Sequence, residues 1–231
     1  MGNIEGFLPS QNGLHFQNQW PPIPELNLTT RFGDIPIGDA ANGLCGGMAF
    51  AVRDLFESGR LPPASHQNPA AGSPAYQFIV ERLFHSFDIP AGVARYYELM
   101  NLPPADTLTV LHDGLAWQTI QETMPSIRAT IDAGHLCPIG LIRVHSSVPA
   151  ALGQNHQVLV WGYEDDGPTT RLRLYDCNQP DNDTVSITFD HTHPGQATTF
   201  SCPGIDPILG FFVSEYEAAD PSRLFLDGHN E

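Results

Sequence analysis

The amino-acid sequence predicts an α+β fold, with a helical first half packed on an antiparallel β-sheet formed by the second half. Apolar residues recur at helical spacing as far as residue 133, and an alternation of polar and apolar residues replaces that spacing afterwards. No segment alternates strand, helix and strand, as a parallel sheet requires. The 231 residues fit one domain, which divides into an N-terminal arm (1–44), a helical part (45–135) and a sheet part (136–231).

Four helices are predicted between the arm and the sheet. The arm is rich in proline and glycine, which interrupt regular structure, so we expect it to be extended and loop-rich. The first helix begins at Cys45 and ends near Gly59, which two prolines follow. Three further helices are predicted over 75–87, 93–100 and 115–133, and Pro125 divides the last into two pieces.

Five strands are predicted in the sheet part. They cover 138–144, 156–163, 171–176, 184–189 and 209–216. The acidic, glycine-containing segment 164–168 has the composition of a turn. The second and third strands therefore form a hairpin.

The charge balance excludes two classes of partner. The chain has 26 acidic and 10 basic residues, a net charge of −16, and every basic residue is an arginine. Nucleic acid and anionic lipid surfaces both bind clustered cations, so neither is an expected partner. We interpret the lysine-free composition as codon bias towards arginine rather than as escape from lysine modification.

The sequence carries no targeting or membrane signal. Its first six residues lack the basic and apolar regions of a secretory signal, and no run approaches the ~18 apolar residues that span a bilayer. We therefore expect a protein that is cytoplasmic or exported by a non-classical route. The sequence leaves its compartment and oligomeric state open.

The strongest local motif is Gly-Leu-Cys-Gly-Gly-Met, in which Cys45 opens the first helix. The positive end of a helix lowers the pKa of a thiol, and the thiolate is the nucleophilic form of cysteine. The flanking glycines allow a sharp turn into the helix and a close approach of substrate to the backbone. A small buried residue in a tight turn would have the same pattern. Cys45 is the candidate nucleophile.

A second motif supplies a candidate base. His156 opens the second strand, and the hairpin returns through Asp176-Cys177-Asn178. Pairing about Gly167 sets His156 opposite Asn178, with Asp176 two residues along on the same face. An imidazole held by a carboxylate or an amide is the arrangement of a general base. A purely structural histidine bonded to a turn aspartate is the competing interpretation, but it leaves the upstream cysteine turn unexplained.

Together these residues resemble the papain-like cysteine peptidase superfamily. A cysteine that opens an early helix, Asn-His at the start of a strand ending in Trp-Gly-Tyr, and an acidic or amide partner on the next strand follow the same order there. The Tyr-Asp-x-Asn-x-Pro segment 175–180 is most similar to the C39-like peptidases. The resemblance implies a papain-like fold and a thiol protease or related hydrolase. In it Cys45 would be the nucleophile, His156 the general base and acid, and Asp176 the residue that orients the imidazole.

The resemblance also implies a donor for the oxyanion. Relatives carry a glutamine several residues before the nucleophile, whereas segment 38–44 contains none. Asn42 and the backbone N–H of Cys45 are the candidate donors, and Asn178 is a second orienting candidate. The implied substrates are peptides, proteins or other amides and esters, which the same residues would hydrolyse, deamidate or transamidate. The alternative is a catalytically inactive papain-like protein with a binding or structural role.

No cofactor or metal is expected. Segment 190–193 has His-x-His spacing for zinc, but Pro-Gly follows it, so we favour a solvated turn over a metal-binding module built on the histidines. The oxygen-rich loop 176–183 lacks the EF-hand pattern for calcium, so we favour turn capping.

Four cysteines are too few for a disulfide scaffold. Cys177 and Cys202 could pair if the protein is exported, but sequence does not give their distance.

Overall fold

The computed structural model describes residues 1–20, 27–30, 33–36, 43–106 and 114–228. Helices predominate in the first part of the chain, and one antiparallel sheet is built mostly from the second part. The predicted α+β class is therefore confirmed. The helix that begins at Cys45 packs on both the next long helix and the sheet, and the main hydrophobic core lies between these layers.

The helices after residue 44 lie close to their predicted positions, whereas a short helix lies in the arm that was expected to be extended. The helices are α1 (Pro9–Asn12, in the arm), α2 (Cys45–Glu57), α3 (Pro74–Ser86), α4 (Ala91–Met100), α5 (Leu115–Trp117) and α6 (Met124–Asp132). A π-helical turn, Gln118–Thr123, joins α5 to α6, so the predicted two-piece helix has three pieces. Pro125 lies in the first turn of α6, directly after the π-helical turn. Within the described residues, no helix is both long enough and apolar enough to cross a membrane.

Eight strands form a six-stranded sheet and a separate two-stranded hairpin. They are β1 (Gly2–Asn3), β2 (Asn27–Thr30), β3 (Gly33–Pro36), β4 (Cys137–Ile142), β5 (His156–Asp166), β6 (Thr169–Tyr175), β7 (Ser186–Asp190) and β8 (Gly210–Val213). The large sheet has the order β7-β6-β5-β4-β8, β1 also pairs with β5, and every pairing is antiparallel. The small hairpin is β2-β3. All five predicted strands are present in the large sheet.

The hairpin of β5 and β6 has the predicted register where it approaches the site. Leu159 pairs with Tyr175, and the same register continued for three residues sets His156 opposite Asn178. A bulge between Val160 and Gly162 shifts the pairing by one residue towards the turn. The irregularity therefore lies beyond the part of the hairpin that carries the candidate site.

The N-terminal arm contributes to the core as well as covering it. Its β1 pairs with β5, and its buried apolar side chains are Ile4, Phe7, Leu14, Phe16 and Trp20. The chain then passes close to the start of α2, because the backbone N–H of Asn18 donates to the carbonyl oxygen of Cys177 at 3.1 Å. The arm is thereby attached to the sheet half of the protein.

Two glycines allow α2 to approach its neighbours closely. A Cβ atom on Gly47 would collide with the carbonyl oxygen of Ile79 in α3. A Cβ atom on Gly46 would collide with the hydroxyl of Ser86 and lie 2.7 Å from the side chain of Gln157. The interpretation that these two glycines leave room for a substrate is therefore wrong, because they leave room for α3 and β5.

A buried ion pair joins α2 to α3 and to the C-terminal segment. Nε of Arg82 lies 2.7 Å from Oδ2 of Asp54, and both side chains are almost fully buried. Oδ1 of Asp54 also accepts hydrogen bonds from the hydroxyl of Tyr216 (2.6 Å) and the N–H of Ala219 (2.9 Å). One carboxylate thus links three parts of the chain behind the first turn of α2.

Candidate active site

Cys45 is the first residue of α2, and the turn before it explains its position. Gly43 has a φ of +65°, in the left-handed region that favours glycine, and this directs the chain into the helix. The backbone N–H of Leu44 is held by Oδ1 of Asn18 at 2.7 Å. The Cys45 side chain is 7 % exposed. Cys45 is therefore nearly buried.

His156 lies at the start of β5 with its ring held between two partners. Its Nε2 is 2.8 Å from Oδ1 of Asp176, the residue that follows β6. Its other neighbour is the thiol of Cys45, to which it is coupled electrostatically. The structure thus brings together Cys45, His156 and Asp176, three residues that belong to two different layers of the fold.

The electrostatics favour a charged pair at Cys45 and His156. Burial by itself raises the pKa of the Cys45 thiol, but the charge and hydrogen bond of His156 outweigh it and the pKa is lowered. The backbone N–H groups of Gln157 and Gly46 add to this lowering. Burial by itself lowers the pKa of His156, but the Cys45 charge and the bond to Asp176 outweigh it and the pKa is raised. Both shifts favour a thiolate beside an imidazolium.

Asp176 is held as a carboxylate. Burial by itself raises its pKa, but the hydrogen bond and charge of His156 outweigh it and the pKa is lowered. The N–H of Asn178 donates to Oδ1 at 3.0 Å, and Nε2 of Gln179 donates to Oδ2 at 3.2 Å. Three groups therefore fix the carboxylate that in turn fixes the imidazole.

Of the two asparagines that the sequence analysis proposed for the site, Asn178 is among the described residues and Asn42 is not. The amide nitrogen of Asn178 lies 3.4 Å from Nε2 of His156, a nitrogen already bonded to Asp176. The stronger contribution of Asn178 is its backbone N–H bond to that carboxylate. Asn42, the candidate oxyanion donor, lies outside the described residues, so its role stays a prediction.

Sequence reasoning missed Asn18, an amide from the N-terminal arm that lies at this site. Its Oδ1 accepts two hydrogen bonds, from the N–H of Leu44 (2.7 Å) and from the indole of Trp20 (3.0 Å). Because both are donors, the orientation of the amide is fixed, and the NH₂ group lies against Gly43. The only sequence signal is an amide-rich Gln-Asn-Gln-Trp segment, far upstream of the cysteine.

A cleft of about 490 Å³ opens at His156. Its lining includes Asn18 and Gly43 on one side, Arg143 and Gln154 on another, and Asn178 beyond the histidine. The cleft is polar and adjoins the first turn of α2. A substrate seated there would reach the imidazole from the solvent side.

A fourth side chain, Cys177, lies against the triad. Its sulfur, a ring nitrogen of His156 and a carboxylate oxygen of Asp176 are all within 4.8 Å of one another. Two ligands of a tetrahedral zinc lie roughly 3.3 Å apart, whereas the nitrogen and oxygen here are 2.8 Å apart. Burial raises the pKa of Cys177 well above its usual value, which disfavours a thiolate ligand. The geometry fits a hydrogen-bonded triad better than a metal centre.

The other polar clusters form turns. Oδ1 of Asp190 accepts the backbone N–H of Thr192 at 2.8 Å, and His191 contacts the hydroxyl of Thr170. In the loop 176–183, Asp183 accepts two hydrogen bonds from Ser10. All four cysteines are free thiols in this structure, so Cys177 and Cys202 are not paired.

Comparison with known proteins gives no relative on which to base an assignment. No protein-family model matches the chain, and no curated protein or solved structure matches it. The function must therefore be argued from the arrangement of the residues themselves.

Proposed function

We propose that this protein is a cysteine-dependent hydrolase that transfers an acyl group from an amide or ester through Cys45, His156 and Asp176. The observation that carries the proposal is one continuous chain of contacts. The Cys45 thiol lies beside His156, whose charge lowers the thiol pKa, and Nε2 of His156 is 2.8 Å from Oδ1 of Asp176. A nucleophile, a base and a group that orients the base are the parts that covalent acyl transfer requires.

In the first half-reaction the thiolate of Cys45 attacks the carbonyl carbon of the substrate. The carbon–sulfur bond forms as the carbonyl electron pair moves onto oxygen, giving a tetrahedral oxyanion. Its collapse breaks the bond to the leaving nitrogen or oxygen, which takes a proton from the His156 imidazolium. The products of this step are the released amine or alcohol and a thioester on Cys45.

Asn18 supports the tetrahedral oxyanion in this mechanism. Its amide oxygen is occupied by Leu44 and Trp20, so its NH₂ group is the part free to donate towards the cleft. The backbone N–H of Cys45, at the start of α2, is the second donor, because the first N–H groups of a helix have no helical acceptor. In this mechanism Asn18 is the side-chain donor to the oxyanion, the role that the sequence analysis gave to Asn42.

In the second half-reaction water replaces the leaving group. His156, now neutral, takes a proton from water as the oxygen attacks the thioester carbon. The carbon–sulfur bond breaks, the acid is released, and the thiolate and imidazolium are restored. Ammonia as the leaving group makes the reaction a deamidation, and an amine in place of water makes it a transamidation.

The arrangement of the layers supports a papain-like fold as part of this proposal. The nucleophile begins a helix in one layer, while the base and the carboxylate lie on adjacent antiparallel strands, β5 and β6, in the other. The cleft opens where the two layers meet. This is the division of roles that the resemblance to papain-like peptidases implies.

Alkylation by iodoacetamide tests the proposal directly. Burial raises the pKa of Cys137 and that of Cys202 to about 12, and it raises the pKa of Cys177 well above its usual value. Cys45 should therefore be the one thiol modified quickly at pH 6 to 7, as located by mass spectrometry. Cys45→Ala should abolish the fast modification, and Cys202→Ala, the matched control, should leave it unchanged.

The pH dependence of that alkylation separates an enzyme from an inactive relative. A midpoint well below the ~8.5 of a free thiol supports the hydrolase, and a midpoint at or above it contradicts the proposal. The same wild-type protein and Cys45→Ala should then be incubated with a mixture of unrelated peptides. New carboxyl termini or acid groups should form with the wild type and not with the variant.

A further inference from the structure

Arg143 is an unsatisfied cation in the wall of the cleft. It follows β4, is half-buried, and lies on the same cleft as His156. Its Nε is buried and has no hydrogen-bond partner among the described residues, and its guanidinium makes no ion pair with any of them. Nε of Arg82 and Nε of Arg128 also lack a hydrogen bond, but these two guanidinium groups are ion-paired, with Asp54 and Asp165. A buried donor without a partner costs free energy, so this one requires an explanation.

The rest of the cleft does not supply an acceptor of opposite charge. Among the described residues that line it, none carries a carboxylate, although the chain has 26 acidic residues. The only carboxylate of the triad, that of Asp176, lies behind the imidazole and is held by three other donors. The formal charge of the described lining residues is therefore opposite in sign to that of the protein as a whole.

We infer that Arg143 binds a carboxylate of the substrate, and that the substrate class is an acyl compound with an anionic group close to the scissile bond. A guanidinium presents paired N–H donors that match the two oxygens of a carboxylate. Such a substrate would satisfy the orphaned Nε while its carbonyl lies at Cys45. The inference rests on the proposed function and adds to it the chemistry that selects the substrate.

Two alkylating reagents of nearly equal size test this inference without any substrate. Iodoacetate carries a carboxylate beside the reacting carbon, and iodoacetamide carries a neutral amide in its place. The measured quantity is the rate constant for iodoacetate at Cys45 divided by the rate constant for iodoacetamide. Arg143→Gln should lower the ratio about tenfold, the loss expected for one charge-assisted contact. Arg143→Lys, which keeps the charge, should retain part of the preference.

Arg171→Gln is the matched control, because Arg171 is an exposed arginine on β6 that also makes no ion pair among the described residues. Its substitution changes the net charge by the same amount and should leave the ratio unchanged. An equal ratio in the wild type and in Arg143→Gln overturns the inference. If the iodoacetamide rate alone is that of an ordinary thiol, the proposed hydrolase fails as well, so the two failures are distinguishable.

The carboxylate could come from an acidic side chain or from the free end of a peptide. Short peptides that contain either glutamate or glutamine, each with a free or an amidated terminus, should be compared as protectors of Cys45 against iodoacetamide. If the amidated glutamate peptide protects more strongly than the amidated glutamine peptide, the carboxylate is that of a side chain. If the glutamine peptide with a free terminus protects more strongly than the amidated glutamine peptide, the carboxylate is that of the terminus. Equal protection by all four, or the same protection of Arg143→Gln, contradicts carboxylate binding.

Discussion

Nε2 of His156 and Oδ1 of Asp176 lie 2.8 Å apart with both side chains buried. This contact leaves the other ring nitrogen to the thiol of Cys45. Because the carboxylate stabilises the imidazolium, it also stabilises the thiolate that the imidazolium faces. The reactivity of the sulfur is therefore expected to depend on a residue that does not touch it.

Asp176→Asn should reduce the reactivity of Cys45. Without the carboxylate the pKa of His156 falls, the imidazolium becomes neutral at a lower pH, and the pKa of the thiol rises. We expect iodoacetamide to react with Cys45 at least about tenfold more slowly at pH 6, a change of about one pKa unit or more. Asp181→Asn, in the same loop but partly exposed and paired with His15, is the control and should leave the rate unchanged. A similar decrease in both variants would contradict a specific role for Asp176.

The same carboxylate should make the protein sensitive to acid. The folded state lowers the pKa of Asp176 below 3.8, so its contribution to stability is present above pH 3.8 and is lost as the pH falls through the folded value. The difference in urea midpoint between the wild type and Asp176→Asn should therefore be largest near pH 5 and should narrow towards pH 2. A constant difference across this range would show that the charge of Asp176 is not the cause.

Asn18→Ala should lower the rate of turnover much more than it lowers the reactivity of the Cys45 thiol. Loss of one oxyanion donor typically lowers kcat by ~10²–10³, and we expect a decrease of that order in hydrolysis of a p-nitrophenyl ester. The pH midpoint of Cys45 alkylation should move little, because Asn18 is not among the groups that lower the thiol pKa. Gln17→Ala, an exposed neighbour in the arm, should change neither quantity. A shifted alkylation midpoint in Asn18→Ala would indicate a structural role instead.

Gly47→Ala should destabilise the contact between α2 and α3. The added methyl group meets a backbone carbonyl that cannot move aside freely, and overpacking of this kind costs about 1–3 kcal/mol. Gly134→Ala is the informative comparison, because its Cβ would have open space and only its φ of +86° is unfavourable, at roughly 1–2 kcal/mol. Urea denaturation should show the larger loss for Gly47→Ala, together with slower alkylation of Cys45. Unchanged alkylation would argue that the site tolerates a displaced α2.

Arg82→Met should be among the most destabilising single substitutions. It leaves Asp54 buried without its cation, and breaking a buried pair in this way costs about 3–5 kcal/mol. The double variant Asp54→Asn/Arg82→Met removes the isolated charge and should recover part of the loss in free energy of unfolding. If the double variant is as unstable as the sum of both single variants, the pair is not the source of the effect.

Short-range patterns in the sequence were sufficient to predict much of the fold. The apolar spacing predicted α2, α3 and α4, because each buries one continuous face. The turn at Gly167 predicted the pairing of β5 and β6 to within one residue: the register at the turn, continued, would set His156 opposite Gln179, and the bulge near Val160 changes that partner to Asn178. The bulge near Val160 was not predicted, since an extra residue in a strand leaves no compositional mark.

Contacts between distant segments could not be predicted in the same way. Asn18 reaches the site only because the arm passes between Cys177 and Leu44, a path that no periodicity encodes. Arg143 lies within the predicted strand 138–144 and directly after the observed β4, but whether an arginine has a partner depends on the whole surrounding surface. The sequence analysis explained the two glycines after Cys45 by the approach of a substrate. The space beside them is instead occupied by α3 and β5, which lie far along the chain.

The division of the site between two layers has a consequence for biosynthesis. The ribosome makes Cys45 more than a hundred residues before His156, and the nascent thiol has neither a base nor a completed cleft. Its pKa should then be that of any cysteine, ~8.5, and the unfinished polypeptide should carry no unusually reactive sulfur. If the proposed function holds, the thiol becomes reactive only when the late strands pack against the early helix, so an unfinished chain would have no acyl-transfer site.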